Sequence, residues 1–150
     1  MLPSVDYTVT LSVPVDVAFR AFQNLERLLD RGIYEEAIWT EGAPWQVGSR
    51  IRYRVTQPVK ATITAVITAI SAPRSIDIIN HALGVTVEQH VAFGPDLKGG
   101  TRIRMTMTPV GTSTELTDDE AQKALTFITH DALDTVIESL QRRRNQASGT

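Results

Sequence analysis

The end of the chain holds one long amphipathic helix pattern, and the stretch before it, Ser49 to Pro109, holds only strand patterns. Ala121, Ala124, Leu125, Ile128, Ala132, Leu133, Val136, Ile137 and Leu140 fall on one helical stripe. Ahead of it, Thr117 and Glu120 have capping-box spacing, and Asp118 and Asp119 suit the positive end of a helix dipole. Arg142, Arg143 and Arg144 sit where cations favour a helix C-terminus and read as a solvated end. The domain is read as residues 1–144, with Asn145 to Thr150 as a flexible tail. A helix with one broad apolar face must bury it, and the partner this chain offers is a sheet.

The strands follow from alternation and punctuation. Val5, Tyr7, Val9, Leu11 and Val13 alternate with polar residues until Pro14. Val17, Ala18, Phe22, Leu25, Leu28 and Leu29 then recur at helical spacing, which predicts one or two short helices ending near Gly32. Tyr34 to Thr40 stands between strand and loop, and Pro44 and Gly48 mark a loop. Ser49–Thr56, Lys60–Ile70, Ser75–Leu83, Gly84–Phe93 and Thr101–Pro109 read as strands joined by hairpins, hence an antiparallel meander.

Composition narrows the function classes. The chain has 150 residues, enough for one domain with its own core. Fifteen basic and seventeen acidic residues leave a net charge of −2, without the basic excess of a nucleic-acid binder. With no cysteine, disulfides, thiolate metal sites and cysteine nucleophiles are excluded. The N-terminus has neither the basic segment nor the apolar run of a signal peptide. The longest apolar stretch, Ala61 to Ala69, is broken by threonines and too short to span a bilayer. The expectation is a soluble, cytoplasmic protein without stable membrane insertion.

Four short segments carry a resemblance by their order and spacing. They are Val13-Pro14-Val15-Asp16 before a helix, Trp45-Gln46-Val47-Gly48-Ser49-Arg50 leading into a strand, Ala72-Pro73-Arg74 between strands, and Gly99-Gly100-Thr101-Arg102 opening the last strand. Together they resemble the helix-grip fold of the START and birch-pollen-allergen superfamily, in particular its bacterial polyketide cyclase/dehydrase and lipid-transport branch. The resemblance covers nearly the whole chain. It implies an α+β fold, with a curved antiparallel sheet of about six to seven strands wrapped around a long C-terminal helix. Two short helices would follow the first strand. It also implies a cavity between sheet and helix for a lipid, sterol, polyketide or aromatic molecule. Tyr34, Trp39 and Trp45 would lie where such cavities are capped, either stacking on a ligand or plugging the core.

Hairpin registers give candidate wall residues. Pairing Tyr53 with Ile63 and Val55 with Ala61 turns Ala61, Ile63, Ala65, Ile67 and Ala69 inward and Arg52 and Arg54 outward. Alanines there and at Ala121, Ala124 and Ala132 leave room for a cavity. Leu125 and Ile128 would face it from the helix. Pairing Phe93 with Ile103, Val91 with Met105 and Gln89 with Met107 leaves Gln89 as the polar residue of an apolar row. Its partner would be a ligand, a water or another side chain. Tyr53 would offer its hydroxyl to a polar ligand group or to the backbone.

The strand Ser75–Leu83 has two readings. Hydrophobicity turns Ile76, Ile78 and Asn80 inward, which needs a one-residue bulge near Pro73. Simple hairpins would instead turn Asp77, Ile79 and His81 inward and bring Asp77, His81 and Gln89 together as a polar cluster, which would favour acid/base chemistry. The first is preferred, because an inward Asp77 is costly unless paired.

His130 and Asp134 have i, i+4 spacing but no third ligand at metal spacing, so no metal and no cofactor are expected. No phosphate loop, dinucleotide fingerprint or nucleophile elbow occurs. Phe127, turned away from the stripe, suggests a contact surface such as a homodimer. The leading expectation is a binding protein for an apolar or amphipathic small molecule, oriented by Tyr53, Gln89 and either Asn80 or His81. An aromatase/cyclase or dehydratase using the same cavity comes second. A protein-interaction module of the chaperone-activator type comes third.

Overall fold

The computed structural model describes residues 2–148, with side chains to residue 145. Strand β1 (Val5–Leu11) leads into helix α1 (Val15–Gln23) and a 3-10 helix, Leu25–Leu29. Six strands follow: β2 (Tyr34–Glu41), β3 (Arg50–Val55), β4 (Ala61–Ser71), β5 (Ser75–Ala82), β6 (Val85–Pro95) and β7 (Thr101–Val110). Helix α2 (Asp118–Ser148) ends the described chain. The segment between strand and loop at Tyr34 is thus a full strand. The helix runs through most of the expected tail, and Gly149 and Thr150 lie outside the described residues.

The strands form one antiparallel sheet in the order β1-β7-β6-β5-β4-β3-β2. The hairpin registers read from alternation hold: Tyr53 pairs with Ile63, Val55 with Ala61, Phe93 with Ile103, and Gln89 with Met107. A bulge does set the face of β5, but it lies at Thr68 in β4 rather than near Pro73, between the pairs Ile67–Ile78 and Ala69–Asp77. It inserts one residue, so every later side chain of β4 changes face. Ala69, expected inward, is therefore exposed, and Ile70 takes the inward place beside Ile76. Ile76, Ile78 and Asn80 are buried, whereas Asp77 and His81 point outward. There Asp77 meets His90 at 2.5 Å, and His81 meets Thr86 at 3.0 Å.

Several of the four sequence segments have visible scaffold roles. The Trp45 indole donates to the Gln23 carbonyl at 2.9 Å, tying the β2–β3 loop to the end of α1. Thr101 donates from its hydroxyl to the Val13 carbonyl at 2.7 Å, fixing the turn into α1 against β7.

Helix α2 lies across the concave face. Its start is capped as its sequence predicts: Thr117 Oγ1 accepts from the Glu120 amide at 3.1 Å, and Glu120 Oε1 accepts from the Thr117 amide at 3.0 Å. Leu133 and Val136 are wholly buried. The helix is also clipped at the sides. From β1, the Tyr7 hydroxyl donates to Asp134 at 2.7 Å while its ring stacks on His130. From the segment before β2, Arg31 pairs with Asp131 at 3.0 Å and with Glu138. Arg142 pairs with Asp30 some way inside the helix, not at its last turn. The core is uneven. Phe19, Phe22 and Phe93 fill the part beneath α1 with edge-on ring contacts, while small residues of α2 and β4 leave the other part open.

Candidate functional site

The open part is a cavity of about 130 Å³ between α2 and the sheet. Its sheet wall carries Tyr53, Ile63, Asn80, Gln89, Met105 and Met107. Its helix wall carries Ala121, Ala124, Leu125 and Ile128. Phe22, Leu25, Arg27 and Leu28 close the side beneath α1, with Tyr34 and Trp45. Pro58, Val59, Leu83 and Leu116 come from the turns at one end of the sheet and the approach to α2. The alanines of α2 produce this space, because they carry too little volume to reach the sheet.

Most of the sequence-derived wall residues meet here; Trp39, Ala65, Ile67, Ala69 and His81 do not line the cavity. His81 is on the outer face, as the β4 bulge requires. Ala65 points inward but is sealed in packed core at zero exposure. Trp39 packs edge-on against Trp45 at 5.1 Å, so it supports the wall from behind. The polar residue of the inner row has side-chain partners. Asn80 Nδ2 donates to Gln89 Oε1 at 3.0 Å, and Gln89 Nε2 approaches the Met105 sulfur at 3.2 Å.

Arg27 is the wall residue that sequence reasoning missed. It sits among leucines in the 3-10 helix and is 3% exposed. Its Nε donates to the Ala21 carbonyl at 3.2 Å and Nη2 to the Phe22 carbonyl at 3.0 Å. These belong to the last turn of α1, where the Ala21 carbonyl also accepts from the Asn24 amide at 3.3 Å. Nη1 donates to the Ala132 carbonyl at 2.9 Å and to Thr135 Oγ1 at 2.6 Å, joining α1 to α2. The guanidinium also lies over the Phe22 ring, 5.0 Å from its centroid. Burial pulls its pKa down to about 10, so it remains a cation at neutral pH.

Tyr34 and Tyr53 complete this polar corner, with ring centroids 5.7 Å apart. Burial pushes the Tyr53 phenol up to about 12 and the Tyr34 phenol higher still. Neither hydroxyl has a hydrogen-bond partner among the described residues. No aspartate, glutamate or histidine lines the cavity among the described residues. The chemistry available is apolar contact, hydrogen-bond donation and one buried positive charge, with no group that titrates near neutral pH.

The remaining candidates lie elsewhere. Asp134, considered with His130, is engaged by Tyr7. Phe127 is 37% exposed on the outer side of α2. The outward arginines of β3 are paired: Arg50 with Glu41, and Arg52 and Arg54 with Glu36. No helix is long and apolar enough to cross a membrane among the described residues.

Neither a family model nor a curated protein matches the sequence. Solved structures do match. Ara h 8.0201 superposes with a TM-score of 0.77 at 13% identity, covering 93% of this chain and 98% of that one. The Zhui aromatase/cyclase from Streptomyces sp. R1128 gives 0.78 at 19% identity, covering 95% and 96%. TTHA0849 from Thermus thermophilus gives 0.77 at 17%, covering 94% and 99%. A sheet gripping one long helix around an apolar cavity defines the class: this is a helix-grip protein. The chain shares this fold with all three structures.

Proposed function

We propose that this protein is a soluble, cytoplasmic carrier that holds one compact, apolar or amphipathic molecule between α2 and the sheet. The observation that supports it best is the lining: mostly apolar side chains, a few convergent polar groups, and no acid or imidazole among the described residues. Size narrows the ligand. Cavities of roughly 150 Å³ accept a benzene ring without rearrangement, whereas drug-sized ligands need roughly 300 Å³ or more. At about 130 Å³ the site suits a single ring or a short chain as it stands. A sterol or long polyketide would require the walls to move.

The aromatase/cyclase among the structural neighbours keeps a cyclase reading in view. Proton transfer at neutral pH works best with a group whose pKa lies near 7. The cavity's phenols lie far above that and its histidines are outside. The carrier reading therefore comes first. The interaction-module reading has less support, since the large exposed apolar residues Leu29, Ile38, Val47, Leu97, Val110 and Phe127 fall on six separate elements and loops.

Native mass spectrometry on protein purified from its own host tests the proposal. A bound small molecule released on unfolding is the expected result. Absence of any adduct, with no thermal shift against small aromatic and short-chain ligands, would remove the carrier reading.

A further inference from the structure

Arg27 is more than the α1 clamp requires. A guanidinium carries five N–H donors. Four have acceptors, at Ala21, Phe22, Ala132 and Thr135, which leaves one Nη2 hydrogen over. None of those acceptors is a carboxylate, so no direct ion pair balances the buried charge. Asp131, whose field reaches it, bonds Arg31 instead. Removing an arginine from water without a bonded counter-ion is costly unless something else uses the charge.

Two further donors share this corner. The Tyr34 and Tyr53 hydroxyls line the same cavity, and neither has a hydrogen-bond partner among the described residues. Both phenols and Arg27 lie on the wall of one small cavity, and the two rings are 5.7 Å apart. Neither oxygen is sealed in protein, so both hydroxyls are open to the cavity. Asp131 acts on this corner from behind the wall, but the lining itself has one cation, two unpaired hydroxyls and no carboxylate, and is shaped for an acceptor carrying negative charge. Asn80 and Gln89, by contrast, are already bonded to each other.

We propose that the cavity ligand is a compact apolar monocarboxylate, its carboxylate received by the Tyr34 and Tyr53 hydroxyls beside Arg27 and its apolar body lying against Leu125, Ile128 and Met107. This rests on the carrier reading and specifies the ligand of that same site. The carboxylate gives the buried guanidinium a counter-ion inside the cavity and accepts from both phenols. The ring or chain then occupies the space left by the α2 alanines. A neutral ligand of the same shape leaves the cation with Asp131 as a distant counter-charge only.

The test uses two pairs of near-isosteric probes, benzoate with benzamide and hexanoate with hexanamide, titrated by calorimetry with Trp45 fluorescence as a second readout. In each pair the anion is expected to bind about tenfold or more tighter, the scale of a charge-assisted over a neutral hydrogen bond. The double variant Tyr34→Phe/Tyr53→Phe keeps the cavity shape. It should bring the ratio towards one with little change for the amides. Arg27→Met, checked for native circular dichroism, should lower anion affinity alone. Because Arg27 also clamps the helices, the double phenylalanine variant decides if Arg27→Met does not fold. Amides binding as tightly as their carboxylates would overturn the carboxylate assignment and leave the carrier reading standing. A ratio unchanged in the double variant would also overturn the assignment. Failure of all four probes, with no copurified molecule, would overturn both.

Discussion

Gly100 shows how one position can carry a family pattern for a steric reason. A Cβ placed there would lie 2.0 Å from the Leu11 carbonyl oxygen, a backbone atom of the neighbouring strand. That atom cannot swing aside as a side-chain tip can. Gly100→Ala should therefore part β1 from β7 and destabilise the protein by about 2 kcal/mol, within the usual range for overpacking. Urea unfolding reads this directly, and a midpoint unchanged from wild type would contradict it. Arg27 is the opposite case, a residue whose importance local sequence hides. The apolar spacing picks out Leu25, Leu28 and Leu29 around it, and an arginine there reads as the polar side of a short helix. Its burial depends on Ala132 and Thr135, more than a hundred residues away. No local pattern encodes those acceptors.

At the scale of the element, α2 depends on its cap and its clips. Thr117→Ala removes half of the reciprocal cap and should cost about 1 kcal/mol, measured as a lowered denaturation midpoint. The Arg31 bond holds the Glu138 carboxyl below its ordinary value of 4.5. A lowered native pKa means stability that is present above pH 4.5 and lost as pH falls through the native value. Glu138→Gln should therefore weaken the fold at neutral pH, by less than about 1 kcal/mol for a half-exposed pair. The deficit should vanish in acid, which a pH series of melting temperatures would show. Asp131 has the opposite sign: burial raises it, so the native state takes up its proton more readily than the unfolded chain. Two hairpins were legible because alternation and turn residues agree on one register, as at Tyr53–Ile63 and Phe93–Ile103. The face of β5 was legible only from hydrophobicity. The bulge that sets it, at Thr68, leaves no mark on the alternation before it and lies away from the expected turn.

Across the whole molecule, stability and capacity are set by different halves of one core. The phenylalanine cluster beneath α1 is filled, and the alanine side is open. Ala124→Leu should fill the cavity from the helix wall. It should abolish binding of any copurified molecule while changing stability by no more than about 1 kcal/mol, because it adds volume to space rather than to packed atoms. Retained binding would place the ligand elsewhere. The sheet order has a consequence in time. The sheet neighbour of β1 is β7, and across the concave face both meet α2. Strand β1 must therefore wait for β7, about ninety residues later, before it can dock. The central hairpins can zip as they emerge, and α1 covers the part of their apolar face around Phe93, but the alanine side stays uncovered until α2 arrives. Contacts this distant in sequence slow folding and expose sticky intermediates. A nascent chain halted at residue 117 would be a half-covered sheet, closed by α1 at one side and open where α2 belongs.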